Sequence, residues 1–526
     1  MKRTIRIVNY AVNGAGAGHL SRLVGISRWL RRYAAWMGAR AEIYFLTSSE
    51  ADSILFTERF ASFKLPSKTA VADSRIDKAT YLALAKQWVW HSLGLLRPDL
   101  LVVDTFPRGS FGELLSALDL CKARALVLRP MLESFARRPE VMTMLPLYDA
   151  ILVPEREGDA DVPVPEEARR RMRWLGPMCM RERVEMMSRP DARASLGVAP
   201  GAFAVYVTAG GGGDAGAPEQ LARASAALTD AGMHVVVGAG PLYRGRVERR
   251  PGVTWLAHET AAELMPAFDA AVSAAGYNTF VELMHAGVPT VFVPQEKIAD
   301  DQHARAMRAA DKGAATVLTR DASPEDLATA VGRFRDASVS EAARVAARAI
   351  APRNHARDAA AELLRLVCAP SEVDRAEAAV TDAMLELAAG ASADVESLIQ
   401  VAHALDGDGG NATRQRDLAA LGQSSAAVLA AAKGAGASDD ATLRLAQALE
   451  RRTAGSSAAE RAEALTSVLE ACGPFDDWEA TISLVSSHAG GAAHAVADAV
   501  KEQAAEASKS GLSLLEAAAS ASRRTR

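Results

Sequence analysis

The segment Val272–Gln302 reads VSAAGYNTFVELMHAGVPTVFVPQEKIADDQ and holds a complete strand–helix–strand unit. An apolar strand leads to a turn at Gly276, and a helical stretch follows until Gly287, which is a typical helix stop. A second apolar strand, Thr290–Val293, then ends at a proline. Units of this kind build parallel sheets, and such sheets bind ligands at the carboxyl ends of their strands. The segment therefore predicts an α/β fold with a site close to Gly276.

Short apolar strands alternate with helical stretches twice along the chain, which is typical of a parallel sheet covered by helices on both faces. The pattern predicts two doubly wound, Rossmann-like domains that face a cleft, residues 1–180 and 181–368, with an all-α region after them. The predicted strands are Thr4–Ala11, Ala41–Thr47, Leu100–Asp104, Ala125–Leu128 and Ala150–Val153, then Ala204–Thr208, His234–Gly238, Val253–Leu256, Ala270–Ser273, Thr290–Val293 and Ala314–Leu318.

The composition is that of a soluble globular protein, with 49% hydrophobic and 24% charged residues among 526. The net charge of -4 gives no general attraction to nucleic acid. The four cysteines lie far apart and show no metal-ligand spacing, so we expect no metal site and a reducing cytoplasm. The chain enters a strand at Thr4 without a signal peptide, and no apolar run of about 18 residues would span a bilayer.

The region 369–526 has a different composition, rich in Ala, Leu and Glu and without strand-like runs. Short helical stretches recur there between glycine breaks such as Gly407–Gly410. Isolated Ala-rich helices are marginal in water, so these helices must pack on each other or on a partner. The sequence predicts a helical appendage that mediates self-association or binds another protein.

A glycine-rich turn, Gly14–Gly18, joins the first predicted strand to a helix that begins near His19. A dinucleotide motif would need a small residue in place of His19, and no Walker lysine follows. The turn still allows a phosphate or a sugar to approach a helix start. The imidazole of His19 is either a general base for a hydroxyl nucleophile or a helix-start residue bonded to the backbone. Asp104, at a strand end, either orients that base or caps the next turn.

Four consecutive glycines, Gly210–Gly213, follow the strand Ala204–Thr208 in the second predicted domain. Their bare N–H groups could surround a diphosphate, with help from the dipole of the next helix. The alternative is a plain flexible turn. The basic run Arg28–Arg32 reads as a solvated helix face, with contact to an anionic acceptor or a membrane surface as its alternative.

Taken together, Gly14–His19, Gly210–Gly213 and Ser273–Gln302 resemble the GT-B-fold glycosyltransferases of the MurG-like, family 28 kind, which use UDP-sugars. The resemblance covers residues 1–368. The most specific part is the combination of Ser-x-x-Gly, a glutamate six residues later, Gly-x-Pro, an apolar strand and the pair Asp-Gln.

The resemblance implies roles for individual residues. Glu282 would accept hydrogen bonds from the ribose diol, and the alternative for Glu282 is an exposed helix carboxylate paired with a base. Asp301 and Gln302 would hold the sugar hydroxyls, and the alternative for this pair is a helix cap. His19 would be the base or an acceptor contact, and Arg181 would add positive charge near the diphosphate. The remaining implied donor contacts are Gly16, Gly18, Gly211, Gly212, Gly276 and Tyr277 at the phosphates and His258 beside the uracil.

The function that the resemblance implies is inverting transfer of a hexosyl or N-acetylhexosaminyl group from a UDP-sugar. It needs no bound cofactor or metal. The acceptor, a hydroxyl or amine of a lipid, glycan, protein or small molecule, stays open. Nucleotide-sugar 2-epimerases and hydrolases share this fold, and an inactive scaffold that acts through its helical tail is a further alternative. We expect a cytoplasmic protein, with the inner face of the membrane as an alternative position.

Overall fold

The structure is a computed structural model that describes residues 3–12, 17–247, 250–256 and 261–377. Residues 1–376 form one compact unit. Beyond residue 377, the predicted helical appendage lies outside the described residues.

The first half of this unit is built on a parallel sheet whose central strands are buried along their whole length, as expected for a sheet covered on both faces. Its strands are β1 (Thr4–Ala11), β2 (Arg40–Thr47), β3 (Ala61–Lys64), β4 (Leu100–Asp104), β5 (Ala123–Val127), β6 (Ala150–Val153) and β7 (Met172–Trp174). Within the described ranges these seven strands have the order β3-β2-β1-β4-β5-β6-β7.

Helices connect these strands and cover the sheet, and the two longest of them, α1 and α4, have 19 residues each. They are α1 (Gly18–Trp36), α2 (Ser53–Thr57), α3 (Lys68–Asp73), α4 (Lys78–Leu96), α5 (Glu133–Ala136), α6 (Pro139–Met142) and α7 (Glu166–Arg169). An apolar core that includes Tyr10, Val103 and Ile151 fills the space on one face of this sheet.

The second half repeats the arrangement with a second parallel sheet. Its strands are β8 (Ala204–Thr208), β9 (His234–Gly238), β10 (Val253–Leu256), β11 (Ala270–Ser273), β12 (Thr290–Phe292) and β13 (Ala315–Val317). In the described part of the chain these six strands have the order β10-β9-β8-β11-β12-β13. Two apolar clusters, one around Phe268 and Met284 and one around Val207 and Leu228, cover its two faces.

The helices of the second half begin and end where local sequence signals place them. They are α8 (Arg189–Ser195), α9 (Ala217–Asp230), α10 (Tyr277–Ala286), α11 (Gln302–Asp311), α12 (Pro324–Gly332), α13 (Ala337–Ile350) and α14 (Ala356–Arg365). Helix α10 ends at Gly287, which takes the left-handed conformation at φ 74° that glycine allows at a helix end. The closing helix α14 packs back against α1 of the first half.

Each sheet has a switch point, where the strand order turns from one direction to the other. In the first sheet this point lies between β1 and β4, and in the second it lies between β8 and β11. A crevice opens at the carboxyl ends of the strands at such points, and ligands bind there. His19 follows β1, Asp104 ends β4, and the turns at Gly210 and Gly276 follow β8 and β11. The fold therefore brings these predicted segments to the two switch points.

One local expectation was wrong. The run Arg28–Arg32 is not a solvated face, because Arg28 and Arg32 both donate to the carboxylate of Glu185 and Trp29 is buried. The stretch Ala262–Ala267 forms a 3-10 helix with a proline inside it that cannot donate a backbone hydrogen bond. Among the described helices, none is long and apolar enough to cross a membrane.

Candidate active site

A cavity of about 370 Å³ lies between the carboxyl edges of the two sheets. The first half contributes His19, Arg22, Phe106 and Arg129 to its wall. The second half contributes the glycine loop, the start of α10 and the segment that follows β12. The volume falls within the range of small-molecule sites. The wall residues from this half include Gly210, Gly211, Asp214, Gly276, Asn278, Glu282, Gln295, Lys297, Asp300 and Gln302.

His19 is held by the carboxylate of Asp104 at the first switch point. Its Nδ1 lies 2.5 Å from Oδ1 of Asp104, and both side chains are buried. Arg22 donates to both carboxylate oxygens of Asp104, at 2.8 and 2.7 Å, and Thr105 donates to Oδ1 at 2.7 Å. The ring of His19 also packs against Phe106, with centroids 5.3 Å apart. The orientation of the imidazole is therefore fixed from several sides.

The charges around His19 decide which nitrogen carries its proton. Burial raises the pKa of Asp104, but the guanidinium of Arg22 and the hydrogen bond from His19 outweigh this effect and hold it well below its usual range. Asp104 is therefore an anion that only accepts, so Nδ1 of His19 must donate. Burial lowers the pKa of His19, against the opposing effect of Asp104. The neutral ring is left with Nε2 as an acceptor, and Nε2 has no partner among the described residues.

Asn278, in the first turn of α10, connects the two halves of the cavity. Its Nδ2 donates to the carbonyl of Gly18 at 2.7 Å, and its Oδ1 accepts from Arg22 at 3.2 Å. Both partners lie in the first turns of α1. The histidine-bearing helix start and the start of α10 are thus joined by a single side chain. The sequence reasoning passed over Asn278, although its place directly after Gly276 and Tyr277 was a signal.

The start of α10 presents free backbone N–H groups to the cavity. Gly276 precedes the helix and supplies no side-chain cap, while Tyr277, Asn278 and Thr279 line the cavity wall. The first N–H groups of a helix have no partner within the helix and attract anions. The side chain of Tyr277 points elsewhere, because its hydroxyl donates to the carbonyl of Pro154. Tyr277 can therefore serve a ligand only through its backbone.

Glu282 lies one turn further along α10 and also lines the cavity. Burial raises the pKa of Glu282 to about 7, although Arg181 opposes the shift. No described residue donates a hydrogen bond to this carboxyl group. Glu282 is therefore not the exposed helix carboxylate, paired with a base, that the sequence offered as an alternative. A half-buried carboxyl group without a donor is costly unless a ligand supplies one.

The glycine loop packs tightly against the turn that follows β9. A methyl group on Gly212 would lie 2.1 Å from the carbonyl oxygen of Ala239, and one on Gly240 would lie 2.4 Å from that of Gly210. The two turns therefore interlock through residues that cannot carry a side chain. Gly211 lines the cavity, whereas Gly212 faces the Ala239 turn. Gly18 also lines the cavity and lies 3.6 Å from Asn278, measured from the position a methyl group would take.

The segment after β12 arranges its acids differently from the expected sugar contacts. Asp301 is exposed and caps α11 by accepting from the N–H of Ala304 at 2.9 Å. Asp300 lines the cavity instead. Gln302 also lines it, with its Oε1 accepting from the N–H of Gln295 at 3.0 Å. Sugar binding by Asp301 stays a prediction, and its present hydrogen bond competes with that role.

Arg129 is a cavity residue that the sequence reasoning missed. It follows β5, and its Nη1 donates to Asp300 at 2.6 Å and to the carbonyl of Pro130 at 3.2 Å. A basic residue just beyond the carboxyl end of a parallel strand was the available signal. Arg181, in contrast, lies outside the cavity wall, where it donates to Glu58 and to Glu263.

Two of the predicted contacts, Gly16 and His258, lie outside the described residues. No group of three or more His, Cys, Asp or Glu side chains that could hold a metal ion occurs in the ranges that the structure describes. Independence from a metal stays a prediction. Lys297 and Asp214, both in the cavity wall, pair with each other.

The chain is similar to known glycosyltransferases in sequence and in fold. Residues 245–363 match the family described as glycosyltransferase family 28 C-terminal domain. A UDP-N-acetylglucosamine–N-acetylmuramyl-(pentapeptide) pyrophosphoryl-undecaprenol N-acetylglucosamine transferase of Cutibacterium acnes is 28% identical over 191 residues. The match covers 35% of this chain and 50% of the relative, so the chain spans about half the length of the curated relative it matches.

Solved structures with similar folds include two glycosyltransferases. The spinosyn rhamnosyltransferase SpnG, complexed with thymidine diphosphate, is 17% identical with a TM-score of 0.48 and covers 68% of this chain and 100% of its own. The glycosyltransferase SnogD from Streptomyces nogalater is 16% identical with a TM-score of 0.48 and covers 69% and 100%.

The two parallel sheets that face a common cavity define a GT-B architecture. Within that class, the chain resembles the MurG-like, family 28 glycosyltransferases. The match to the family 28 domain lies in the half that carries Gly276 and Glu282.

Proposed function

We propose that the chain transfers a sugar from a UDP-sugar to a hydroxyl or amine acceptor with inversion at the anomeric carbon. Residues 1–180 supply the acceptor side and residues 181–368 the donor side. One observation carries the proposal: a neutral, oriented histidine shares a cavity with a bare helix start and a carboxyl group without a donor. These are the parts that a base, a diphosphate site and a ribose site require.

In the proposed reaction, Nε2 of His19 accepts the proton of the acceptor while the acceptor oxygen or nitrogen attacks the anomeric carbon. The bond from that carbon to the diphosphate oxygen breaks, and UDP leaves with the electron pair. Backbone N–H groups at Gly276 and at the Gly211 turn stabilise the charge on the leaving diphosphate. Asp104 keeps His19 in the required tautomer and stabilises the imidazolium that forms. No step requires a metal ion.

Several observations favour a UDP donor. The carboxyl group of Glu282 can accept two hydrogen bonds from vicinal ribose hydroxyls. The relative from Cutibacterium acnes is named for a UDP-N-acetylglucosamine donor. We therefore take UDP-N-acetylglucosamine as the first donor to test. Self-association or partner binding through residues 369–526 stays a prediction.

The test incubates the full chain with UDP-N-acetylglucosamine, with and without cell extract as acceptor source, and measures UDP release and product mass. UDP release that depends on the extract, and that persists in EDTA, is expected. Equal release in buffer alone would instead indicate a hydrolase or an epimerase-like reaction. Binding without turnover would indicate a scaffold, and failure to bind UDP would contradict the donor site itself.

A pair of histidine variants makes the test specific. His19→Ala should abolish transfer and retain UDP binding, because the base lies on the acceptor side. His91→Ala, at an exposed position on α4, is the matched control and should keep full activity. Transfer that survives in His19→Ala would remove His19 from the mechanism.

A further inference from the structure

Arg129 brings hydrogen-bond donors into the cavity that the described protein does not use. Its side chain is 12% exposed and lines the cavity. Nη1 donates to Asp300 and to the carbonyl of Pro130, and the other guanidinium nitrogens, Nε and Nη2, have no partner among the described residues. A guanidinium carries five N–H donors in a rigid fork, so most of its donors remain open.

The surroundings of Arg129 have more positive than negative charge. Oδ1 of Asp300 accepts both from Arg129 at 2.6 Å and from Arg305 at 2.8 Å, so one carboxylate serves two guanidinium groups. The Nε of Arg305 is buried without a partner. Arg22 adds no free charge, because it is paired with Asp104. Glu155 also faces Arg305, but it pairs with Arg308 at 3.5 Å. Three guanidinium groups therefore share two carboxylates, so this corner of the cavity holds about one unit of positive charge that is not balanced, together with a shortage of acceptors.

The position of this corner relates it to the transferred sugar. Asp300 belongs to the segment Lys297–Gln302, which follows β12 on the donor side. Arg129 follows β5 on the acceptor side, where His19 also lies. If the chain transfers a sugar as proposed, the sugar must lie between His19 and the diphosphate site, next to the segment Lys297–Gln302. The inference below rests on that function.

We propose that Arg129 is a specificity-determining residue that binds a carboxylate on the transferred sugar, so that the preferred donor is a UDP-uronic acid. A sugar carboxylate would accept two hydrogen bonds from the open edge of the guanidinium, the bidentate geometry that arginine favours. It would also balance the excess charge shared with Arg305. A neutral sugar, such as the N-acetylglucosamine of the first test, satisfies neither requirement and is therefore expected to be the weaker substrate.

The test compares the binding of UDP-glucuronic acid, UDP-glucose and UDP by calorimetry to the full chain and to its variants. The wild-type chain should bind UDP-glucuronic acid roughly 10- to 100-fold more tightly than UDP-glucose, the effect expected of hydrogen bonds to a charged group. Arg129→Gln should reduce this ratio to about twofold or less while the affinity for UDP stays unchanged. Arg129→Lys should give an intermediate ratio, because it keeps the charge and loses the fork.

Arg137→Gln is the matched control, since Arg137 is exposed directly after α5 and pairs only with Glu133 among the contacts described. Equal binding of the two donors by the wild type, as expected if the anion came from the acceptor, would overturn the proposal. An equal loss for both donors in Arg129→Gln would also overturn it, because it would indicate a purely structural role through Asp300. Failure to bind UDP at all would instead contradict the proposed function.

Discussion

At the scale of single residues, the cavity shifts the pKa of two side chains that have proposed roles. Burial lowers the pKa of His19, which keeps the ring neutral and able to accept a proton. Burial also raises the pKa of Glu282 to about 7, so this group is partly protonated at neutral pH until a ligand binds. Perturbed groups in a shared cleft are typical of functional sites.

The affinity for UDP should depend on pH through Glu282. The ribose hydroxyls donate to the ionised carboxylate of Glu282. Because the pKa of Glu282 is about 7, the carboxyl group of the empty site is mostly protonated when the pH is below 7. Lowering the pH from 8 to 6 should therefore weaken UDP binding roughly tenfold. At pH 8, Glu282→Gln should weaken binding by about 1–3 kcal/mol because the charged acceptor is lost.

Calorimetry on the Glu282→Gln variant across the same pH range provides the control, because UDP itself titrates. The variant should show only the dependence that belongs to the ligand. If wild type and variant change in parallel with pH, Glu282 does not contact the ribose.

His19 and Asp104 should act as one catalytic unit. Asp104→Asn removes the anion that fixes the imidazole tautomer, so kcat should fall by roughly 100- to 10,000-fold, with a small change in KM for the donor. His19→Gln should cost a similar factor, and the double variant little more than either single one. Steady-state kinetics measure all three, and multiplicative losses would show that the two residues act independently.

At the scale of elements, the interlocking turns explain why the chain has four consecutive glycines at Gly210–Gly213. Gly210 and Gly212 both have positive φ, near 79° and 78°, but of the two only Gly212 has another backbone within 4 Å of the position that a methyl group would take. The turn after β9 fills the space beside it with the carbonyl of Ala239. The loop is therefore a packed element whose backbone is held in place by the turn after β9.

Two alanine substitutions separate steric fit from backbone strain. Gly210→Ala adds a methyl group in open space at positive φ, and it should cost about 1 kcal/mol of unfolding free energy. Gly212→Ala adds the same strain and a contact of 2.1 Å with Ala239, so it should cost about 2–4 kcal/mol and weaken UDP binding. Thermal unfolding and calorimetry measure both, and equal effects would show that the turns do not interlock.

Much of the element order could be predicted from the sequence, because each buried parallel strand consists of a short run of apolar residues. Strands β4, β6 and β8–β11 have the bounds that the apolar runs predict. Strand β3, Ala61–Lys64, was not predicted, because it is exposed at the sheet edge and carries no apolar run. The positions of Asp300 and Arg129 in the cavity wall were not predicted, for another reason. Which of two adjacent acids enters the cavity, and which arginine reaches it, depends on long-range packing between the halves.

At the scale of the whole molecule, a polar network surrounds the linker between the halves, which is the segment between β7 and α8. Arg28 and Arg32 from α1 donate to Glu185, and Nε1 of Trp29 donates to Glu182 at 3.2 Å. Burial, together with the neighbouring Glu185, raises the pKa of Glu182 to about 7. The linker is therefore held by charges whose balance changes close to neutral pH.

Glu182→Gln should become increasingly stabilising as the pH rises. The folded pKa of Glu182, about 7, lies above its ordinary value of 4.5, so its contribution to stability is lost as the pH rises through 7. Glutamine does not titrate. Relative to wild type, the variant should gain about 1–2 kcal/mol of unfolding free energy between pH 5.5 and pH 8.

Denaturant unfolding at the two pH values checks this expectation, with the exposed Glu167→Gln on α7 as the matched control. The control should show no change with pH. A stability difference for Glu182→Gln that stays constant would mean that Glu182 is ionised throughout.

The hydrogen bonds of Asn278 to Gly18 and Arg22 limit how such chains can recombine in evolution or in the laboratory. A hybrid that joins residues 1–180 of one protein to the second half of another inherits the proposed base, His19, from one parent and its alignment from the other. An amide at position 278 and an arginine at position 22 therefore form a compatibility pair. Hybrids that keep this pair should inherit acceptor choice from the first parent and donor choice largely from the second.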